Sequence, residues 1–297
     1  MISCPAPAKL NLTLQVLGRR PDSYHLLDSL VAFTGYGDTV SVREAPDLSL
    51  ALDGPFGGVL AGDGQENLVL KAARLLAGHL GIRPLAAITL TKRLPVASGI
   101  GGGSSDAAAT LLALRALWQI DIDAGALAAI ALQLGADVPV CLARRTARLE
   151  GIGERVTPAP ALPPVPVVLV NPGAGLATPA VFKARDGAFS AGPGPAGILQ
   201  QSPKDAVDLA AALKPYPNDL TVPAIRLLPV IGACLEQLAA QPGCLLARMS
   251  GSGATCFGLF AAPAEAEAAA AAIKSANPGW WTAATRLAEP DIQDLRP

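Results

Sequence analysis

The chain has little excess charge and few aromatic residues. Its formal net charge is −1 at pH 7, and aromatics make up 4% of its 297 residues. A nucleic-acid surface needs Lys and Arg side chains clustered on one face. The sequence shows no such cluster, so we expect no nucleic-acid partner.

Paired cysteines and long apolar runs are also missing. The five cysteines are odd in number and form no Cys-x-x-Cys pair, which argues against a disulfide framework or a zinc site and favours a reducing cytoplasm. The longest uncharged run, Val156 to Phe182, contains seven prolines, so it cannot form a membrane helix. Pro5, Pro7 and Lys9 interrupt the first residues, and we expect no secretory signal there.

The strongest pattern lies in residues 95–117, where a glycine-rich loop runs into an Ala/Leu segment. Leu111, Leu114 and Trp118 fall at helical spacing, which predicts a helix with one buried face. Ser, Asp and Asn are preferred N-caps, so we expect the helix to start among residues 104–106. Backbone N–H groups and the helix dipole would then attract an anion to the glycines.

This loop does not match two common nucleotide motifs. No Gly-Lys-Ser/Thr follows the glycines as in a Walker A loop, and Ser104 stands where a dinucleotide fingerprint needs its third glycine. The alternative is a flexible turn that caps a core helix. We favour phosphate binding because four glycines, two serines and a helix start converge here.

Two polar segments elsewhere permit either a purely structural or a functional interpretation. Residues 8–17 alternate apolar and polar as one half-buried strand, with Lys9 and Asn11 on the same face. That face is either a solvated sheet surface or part of a site. Asp137 follows a predicted helix over 127–134, and is either a satisfied turn residue or a catalytic acid.

Further patterns set the expected organisation. We predict helices over 67–80, 222–239 and 264–275, strands over 88–92, 167–170, 257–260 and 281–287, and turns at 36–38 and 150–154. Residues 186–203 read as a mobile loop and 289–297 as a frayed tail. The Pro-rich piece 158–166 is the best linker candidate, which divides the chain into domains 1–157 and 158–297.

Several strings resemble one known family. Pro-x-x-x-Gly-Ile-Gly-Gly-Gly-Ser-Ser-Asp-Ala-Ala is similar to the phosphate loop of the GHMP kinases. Pro-Ala-Lys-Leu-Asn-Leu, Gly-Arg-Arg-Pro-Asp-Ser-Tyr-His, Gly-Ala-Asp-Val-Pro, and Met-Ser-Gly-Ser-Gly-Ala-Thr match other segments of that family in order. The resemblance is greatest to those members whose acceptor is a cytidine diphosphate-linked methylerythritol of the non-mevalonate isoprenoid pathway.

The resemblance implies a fold and a reaction. The fold is a two-domain α+β GHMP kinase fold, with a left-handed βαβ crossover in the N-terminal domain and a ferredoxin-like C-terminal α/β domain. The reaction is ATP-dependent phosphorylation of the 2-hydroxyl of the acceptor, with Mg²⁺ expected and its ligands unidentified. Two alternatives stay open: a GHMP kinase for another small alcohol, and a non-catalytic nucleotide sensor.

The resemblance also assigns roles to residues. Lys9 and Asp137 would be catalytic. The remaining candidates would bind ATP (Pro95, Gly99, Gly101, Gly102, Gly103, Ser104, Ser105, Asp106) or the cytidine-linked acceptor (Asn11, Tyr24, His25, Thr178, Phe182). Tyr24 and Phe182 are expected to sandwich the cytosine, face to face. The chain departs from the family at Ser23, where members often have glycine, and at Val31, where some have an aromatic.

Overall fold

The computed structural model describes residues 1–62, 64–194 and 197–289. The predicted frayed tail therefore lies, from residue 290 onward, outside the described residues. The first half of the chain forms a mixed seven-stranded sheet in which β4, β5, β3, β6 and β7 are neighbours in that order and β1 and β2 also pair with β3. Its strands are β1 (Ile2–Asn11), β2 (Gln15–Arg19), β3 (His25–Arg43), β4 (Ser49–Asp53), β5 (Ala87–Thr91), β6 (Ala147–Gly151) and β7 (Arg155–Pro158).

The helices of this half are α1 (Leu68–Leu80), α2 (Gly102–Leu117), α3 (Ala124–Leu134) and α4 (Val138–Ala143). β4 and β5 are parallel neighbours joined through α1, which makes a βαβ unit. α1 has the predicted extent because the Asn67 side chain accepts a hydrogen bond from the Val69 N–H at 2.9 Å and Gly81 ends the helix at φ 66°.

The second half forms a four-stranded antiparallel sheet of β8 (Pro166–Asn171), β9 (Cys244–Met249), β10 (Cys256–Phe260) and β11 (Trp281–Arg286). Its order, β11-β8-β10-β9, is that of a ferredoxin-like sheet. Four helices precede β9 and one precedes β11: α5 (Thr178–Lys183), α6 (Ala206–Leu213), α7 (Thr221–Leu227), α8 (Val230–Ala239) and α9 (Pro263–Ala276). The predicted α+β fold is confirmed.

One hydrophobic cluster joins the two sheets. It contains Leu10 and Leu12 from the first half and Leu169 and Phe257 from the second. The proposed boundary between residues 157 and 158 thus separates two sheets and not two independent cores. We keep that boundary as a proposal.

The strand expected over residues 8–17 is wrong in its extent. β1 ends at Asn11 and β2 begins at Gln15, because the chain bends where the N–H groups of Leu12 and Thr13 both reach the Leu30 carbonyl. The polar face of this segment is buried, so the alternative of a solvated sheet surface is wrong as well.

The turn expected at residues 36–38 is also wrong. Those residues lie inside the single strand β3, where Gly37 lets β1 approach closely. A Cβ at Gly37 would lie 2.2 Å from the Ala6 carbonyl oxygen. Glycine at this position therefore permits strand packing and does not mark a turn.

The helix expected over 222–239 is two helices, α7 and α8. Pro229 has no N–H and disfavours a helical conformation at the residue before it. Leu228 accordingly has φ −142° and ψ 83°. The helix expected over 127–134 begins earlier, at Ala124, since the Asp123 carboxylate accepts from the Ala126 N–H at 2.9 Å.

Candidate active site

The glycine-rich loop enters α2 earlier than the sequence predicts. Gly101 is the N-cap at φ 64°, and the helix begins at Gly102 without a side-chain cap. The prediction that residues 104–106 cap the helix is wrong, because the turn occurs at the left-handed glycine and the serines fall in the first helical turn. Ser105 instead donates to the Pro7 carbonyl at 2.6 Å, which ties α2 to β1.

This loop forms one wall of a cavity of about 480 Å³. Seven of the eight loop candidates line it, whereas Ser105 is buried behind them. Leu60, Leu68 and Leu90 provide an apolar surface opposite. The first N–H groups of a helix have no intrahelical partner and attract anions. The cavity therefore combines an anion-binding wall with an apolar wall, as a nucleotide requires.

A second cavity, of about 370 Å³, contains the other predicted catalytic residues. Lys9, Asn11 and Asp137 line it, together with Thr178 and Phe182. The two cavities share part of their lining: Gly99, Gly101, Ser104 and Thr178. A group bound in one cavity would therefore adjoin a group bound in the other.

Lys9 and Asp137 form an ion pair in the second cavity, and Lys9 lies beside Gly101, which lines both cavities. The Lys9 Nζ to Asp137 Oδ2 distance is 2.6 Å, and the Lys9 side chain is 4% exposed against 39% for Asp137. Asp137 precedes α4 but makes no side-chain cap bond, so its carboxylate is held by Lys9 and not by the helix. The carboxylate is open to a solute, and the ammonium group behind it is covered.

Hydrogen bonds to polar neighbours position two further residues of the second cavity, Asn11 and Thr178. Asn11 donates through Nδ2 to the Ser29 hydroxyl at 2.8 Å. The Thr178 and Ser252 hydroxyls share a hydrogen bond of 2.7 Å. Both candidates are thus held in place from behind while they line the second cavity.

The expected Tyr24–Phe182 sandwich is not formed in this structure. His25 stacks on Phe182 instead, with ring centroids 4.9 Å apart and an interplanar angle of 23°. Tyr24 is 59% exposed, and the described residues include no ring contact between it and Phe182. Burial, followed by the charges of Arg19 and Arg185, lowers the pKa of His25 below its usual value.

The departure at Ser23 has a backbone explanation. Ser23 adopts φ 72°, the left-handed region that favours glycine. The turn therefore keeps its shape with serine, at a cost in strain, and delivers Tyr24 and His25 to the start of β3.

A second glycine-rich loop, residues 250–253, supports the first. Ser250 accepts from the Asn11 N–H at 3.0 Å and donates to the Gly99 carbonyl, also at 3.0 Å. A Cβ at Gly99 would lie 2.6 Å from the Gly253 carbonyl oxygen. The two loops pack backbone against backbone, which requires glycine at position 99.

Three charged residues beneath the phosphate loop did not emerge from the sequence as a group. The Lys92 Nζ lies 2.6 Å from Asp38 Oδ2 and 2.6 Å from Asp106 Oδ2. All three side chains are 3% exposed or less. Asp38 also accepts from the N–H groups of Arg93 and Leu94 at 2.5 and 2.8 Å. We call Asp38, Lys92 and Asp106 the buried triad.

The string Asn218-Asp219-Leu220, to which the sequence gave no role, braces the site. Asn218 Nδ2 donates to the Met249 and Gly251 carbonyls, both at 2.8 Å. Asp219 Oδ2 accepts from the Val16 N–H at 2.7 Å. The string thus connects the second glycine loop to β2.

Two features are absent from the described part of the chain. No helix within it is long and apolar enough to cross a membrane. Nor do His, Cys, Asp and Glu side chains gather there in groups of three or more that could hold a metal ion. The five cysteines are free.

Comparison with known proteins identifies the family. The family described as "GHMP kinases N terminal domain" matches residues 67–145, and "GHMP kinases C terminal" matches residues 196–279. A protein of Paramagnetospirillum magneticum named 4-diphosphocytidyl-2-C-methyl-D-erythritol kinase is 56% identical over 96% of this chain and 98% of its own length. One of the same name from Rhodospirillum rubrum is 53% identical over 95% of this chain and 91% of its own.

Solved structures support the same family assignment. A crystal structure of 4-(cytidine 5'-diphospho)-2C-methyl-D-erythritol kinase matches with a TM-score of 0.80 and 38% identity over 97% of this chain and 100% of that one. Homoserine kinase from Cytophaga hutchinsonii, at 18% identity, shares the fold, with a TM-score of 0.74 over 97% of this chain and 95% of that one. The chain therefore belongs to the GHMP kinases and, within them, to the 4-diphosphocytidyl-2-C-methyl-D-erythritol kinase family. It is an enzyme that transfers a phosphoryl group from ATP to an alcohol.

Proposed function

We propose that this chain transfers the γ-phosphoryl group of ATP to the 2-hydroxyl of 4-diphosphocytidyl-2-C-methyl-D-erythritol, a step of the non-mevalonate isoprenoid pathway. One observation carries the proposal. The Lys9–Asp137 pair lines the second cavity, and Lys9 lies beside Gly101, which lines both cavities, so donor and acceptor can meet near an accessible carboxylate.

On the donor side, the loop and the start of α2 hold the ATP phosphates. Backbone N–H groups of residues 101–104 face the phosphate oxygens, and the dipole of α2 adds positive potential. The apolar wall of Leu60, Leu68 and Leu90 accepts the base. Catalysis of phosphoryl transfer is mainly positioning and electrostatics, which such a rigid wall supplies.

On the acceptor side, Asp137 orients the 2-hydroxyl and takes its proton as the new O–P bond forms and ADP leaves. Lys9 fixes the carboxylate through their 2.6 Å contact and offsets negative charge that develops at the transferred group. Asn11, Thr178 and Phe182 line the pocket of the cytidine-linked substrate, and Tyr24 and His25 complete it at the start of β3.

Mg²⁺ enters this scheme with the donor. The described residues gather no cluster of metal-ligating side chains, so they do not fit a metal held by the protein alone. A hard divalent cation commonly arrives bound to nucleotide phosphates, and we treat it here as part of the substrate Mg·ATP. We assign the reaction to the cytoplasm, in keeping with five free cysteines.

The test is a product assay. Purified enzyme with Mg·ATP and 4-diphosphocytidyl-2-C-methyl-D-erythritol is followed by ³¹P NMR. We expect one new phosphomonoester signal, coupled to the 2-position of the methylerythritol unit, and stoichiometric ADP. Homoserine and mevalonate serve as comparison acceptors. Faster turnover of either would point to another alcohol, and ATP binding without transfer to any acceptor would favour a nucleotide sensor.

A further inference from the structure

The buried triad holds more negative than positive charge beside a site for polyphosphate. Two carboxylates share one ammonium group, and all three side chains lie at 3% exposure or less. Lys92 and Asp106 line the first cavity, which is walled by the glycine loop and which we call the donor cavity. A Cβ added at Gly102 would lie 3.0 Å from Lys92 Nζ, so the triad lies directly beneath the phosphate loop.

One oxygen of the triad has no partner. Asp106 Oδ1 is buried without a hydrogen bond among the described residues, while Oδ2 accepts from Lys92. The second carboxylate is fully engaged, since Asp38 accepts from Lys92 through Oδ2 and from two backbone N–H groups through Oδ1. Protonation of Asp38 would sacrifice such bonds, whereas a proton on Asp106 Oδ1 displaces nothing.

We propose that the buried triad is a proton-linked support of the phosphate loop, in which Asp106 takes up one proton from solvent when nucleotide phosphates bind and returns it when they leave. The O–H bond forms at Oδ1, and the proton comes from water or buffer. Lys92 and Asp38 then remain as a neutral ion pair beneath the bound anion. This inference rests on the proposed binding of ATP phosphates by the loop.

Electrostatics explains why Asp106 should take up a proton, and not release one, when nucleotide phosphates bind. Bound phosphates bring further negative charge to the N-terminal end of α2, and Asp106 lies just after the first turn of that helix. Like charges disfavour each other's ionised form. Burial is the largest influence on the pKa of Asp106 and raises it. The charge of Lys92 lowers this pKa, whereas the charge of Asp38 raises it. Together they raise the pKa of Asp106 to about 7 without nucleotide. A bound nucleotide raises this pKa further, so uptake is expected at and above pH 7.

Other charged groups near α2 belong to other partnerships. Elements packed against α2 carry Lys9 on β1, Lys71 on α1, Asp123 before α3, and Asp137 and Arg144 at the ends of α4. Lys9 pairs with Asp137, Lys71 with Glu66, and Arg144 donates to the Cys4 sulfur. Asp38 and Lys92 are the groups that act on Asp106.

Calorimetry with ADP counts the protons. The enzyme is titrated with ADP at pH 8 in HEPES and in Tris, whose ionisation enthalpies differ, and the slope gives the protons taken up per ADP. The nucleotide's own phosphate titration contributes equally to every variant. We expect the wild type to take up between half and one proton more than Asp106→Asn. Between pH 7 and 8, the wild-type Kd should also rise roughly threefold to fivefold more than that of the variant.

Asp123→Asn is the matched control, because it removes a carboxylate that caps α3 without belonging to the triad. It should behave as the wild type. Equal proton uptake in the wild type and Asp106→Asn would overturn the inference while leaving the proposed function intact. Failure of the wild type to bind ADP at all would overturn both.

A measurement on the wild type alone covers the case in which Asp106→Asn does not fold. Infrared difference spectra at pH 8 record the enzyme before and after ADP addition. We expect the carbonyl band of a protonated carboxyl group to appear with ADP and to shift in D₂O. Its absence would show that no carboxyl group is protonated on binding, contrary to the inference.

Discussion

The donor and acceptor cavities differ in how their charged groups are covered. On the donor side, Lys92 and its two carboxylates are sealed beneath the loop. On the acceptor side, Asp137 is 39% exposed and Tyr24 is 59% exposed. Both sides use a Lys–Asp contact of 2.6 Å, but only Asp137 among these carboxylates has a substantially exposed side chain. The two contacts therefore differ in exposure and not in distance.

The largest effect is expected when the covered side loses its cation. Lys92→Met leaves two carboxylates buried without a counter-charge, which costs about 3–5 kcal/mol of unfolding free energy. Urea unfolding measures the loss. The matched control is Lys71→Met, which breaks the exposed pair with Glu66 and should cost far less unfolding free energy. Similar losses in the two variants would contradict the difference in burial.

The exposed side should lose turnover without losing stability. Asp137→Asn keeps the shape and removes the charge, so we expect kcat to fall ~10²-fold or more while both KM values stay within a few-fold. Steady-state kinetics and thermal unfolding provide the two readouts. A variant with near-normal kcat would mean that the proton acceptor is another group.

The aromatic residues of the acceptor side should affect one substrate only. Base stacking contributes about 1–3 kcal/mol, so Phe182→Ala should raise KM for the cytidine substrate and leave KM for ATP unchanged. Tyr24→Ala should act in the same direction but less strongly, since its ring is exposed, and the two effects should be non-additive. Phe189→Ala, an exposed aromatic on the loop after α5, is the control and should change neither KM. Equal rises in both KM values would argue against a base-binding role.

A further effect concerns the pH dependence of stability. The folded-state pKa of Asp106 is raised to about 7 from an ordinary value of 3.8, so the folded chain holds this proton more tightly than the unfolded chain. Its contribution to stability is therefore present at low pH and is lost as pH rises from about 4 to about 7. Asp106→Asn removes this loss, and its Tm relative to the wild type should be higher at pH 8 than at pH 5. A constant Tm difference would contradict the shift.

The sequence predicts the Lys9–Asp137 pair better than the buried triad. Lys9 and Asp137 stand in recognisable strings, and the structure brings them together. The triad could not be read in this way, because Asp38, Lys92 and Asp106 come from three separate segments and only the folded sheet shows that they touch. A lone Lys ending an apolar strand before the glycine loop was the one available signal.

Other differences have local causes. The break between α7 and α8 was readable from Pro229, whereas the bend between β1 and β2 arises from a shared carbonyl partner that no local pattern shows. The sequence paired Tyr24 with Phe182, whereas His25, the first residue of β3, is the ring that stacks on Phe182. Adjacent positions in the sequence did not show which of the two rings makes this contact.

The contact between Ser250 and Asn11 has a consequence for the order in which the enzyme is made. The two residues are 239 positions apart, and Arg248 reaches back to the Leu12 carbonyl across 236 positions. A nascent chain that has emerged as far as residue 145 already contains the glycine loop, Lys9 and Asp137, but not the segment that holds them in register. Contacts this distant in sequence form late and slow folding. We therefore expect the site to be complete only after residues 248–250 have been made and have reached the end of β1.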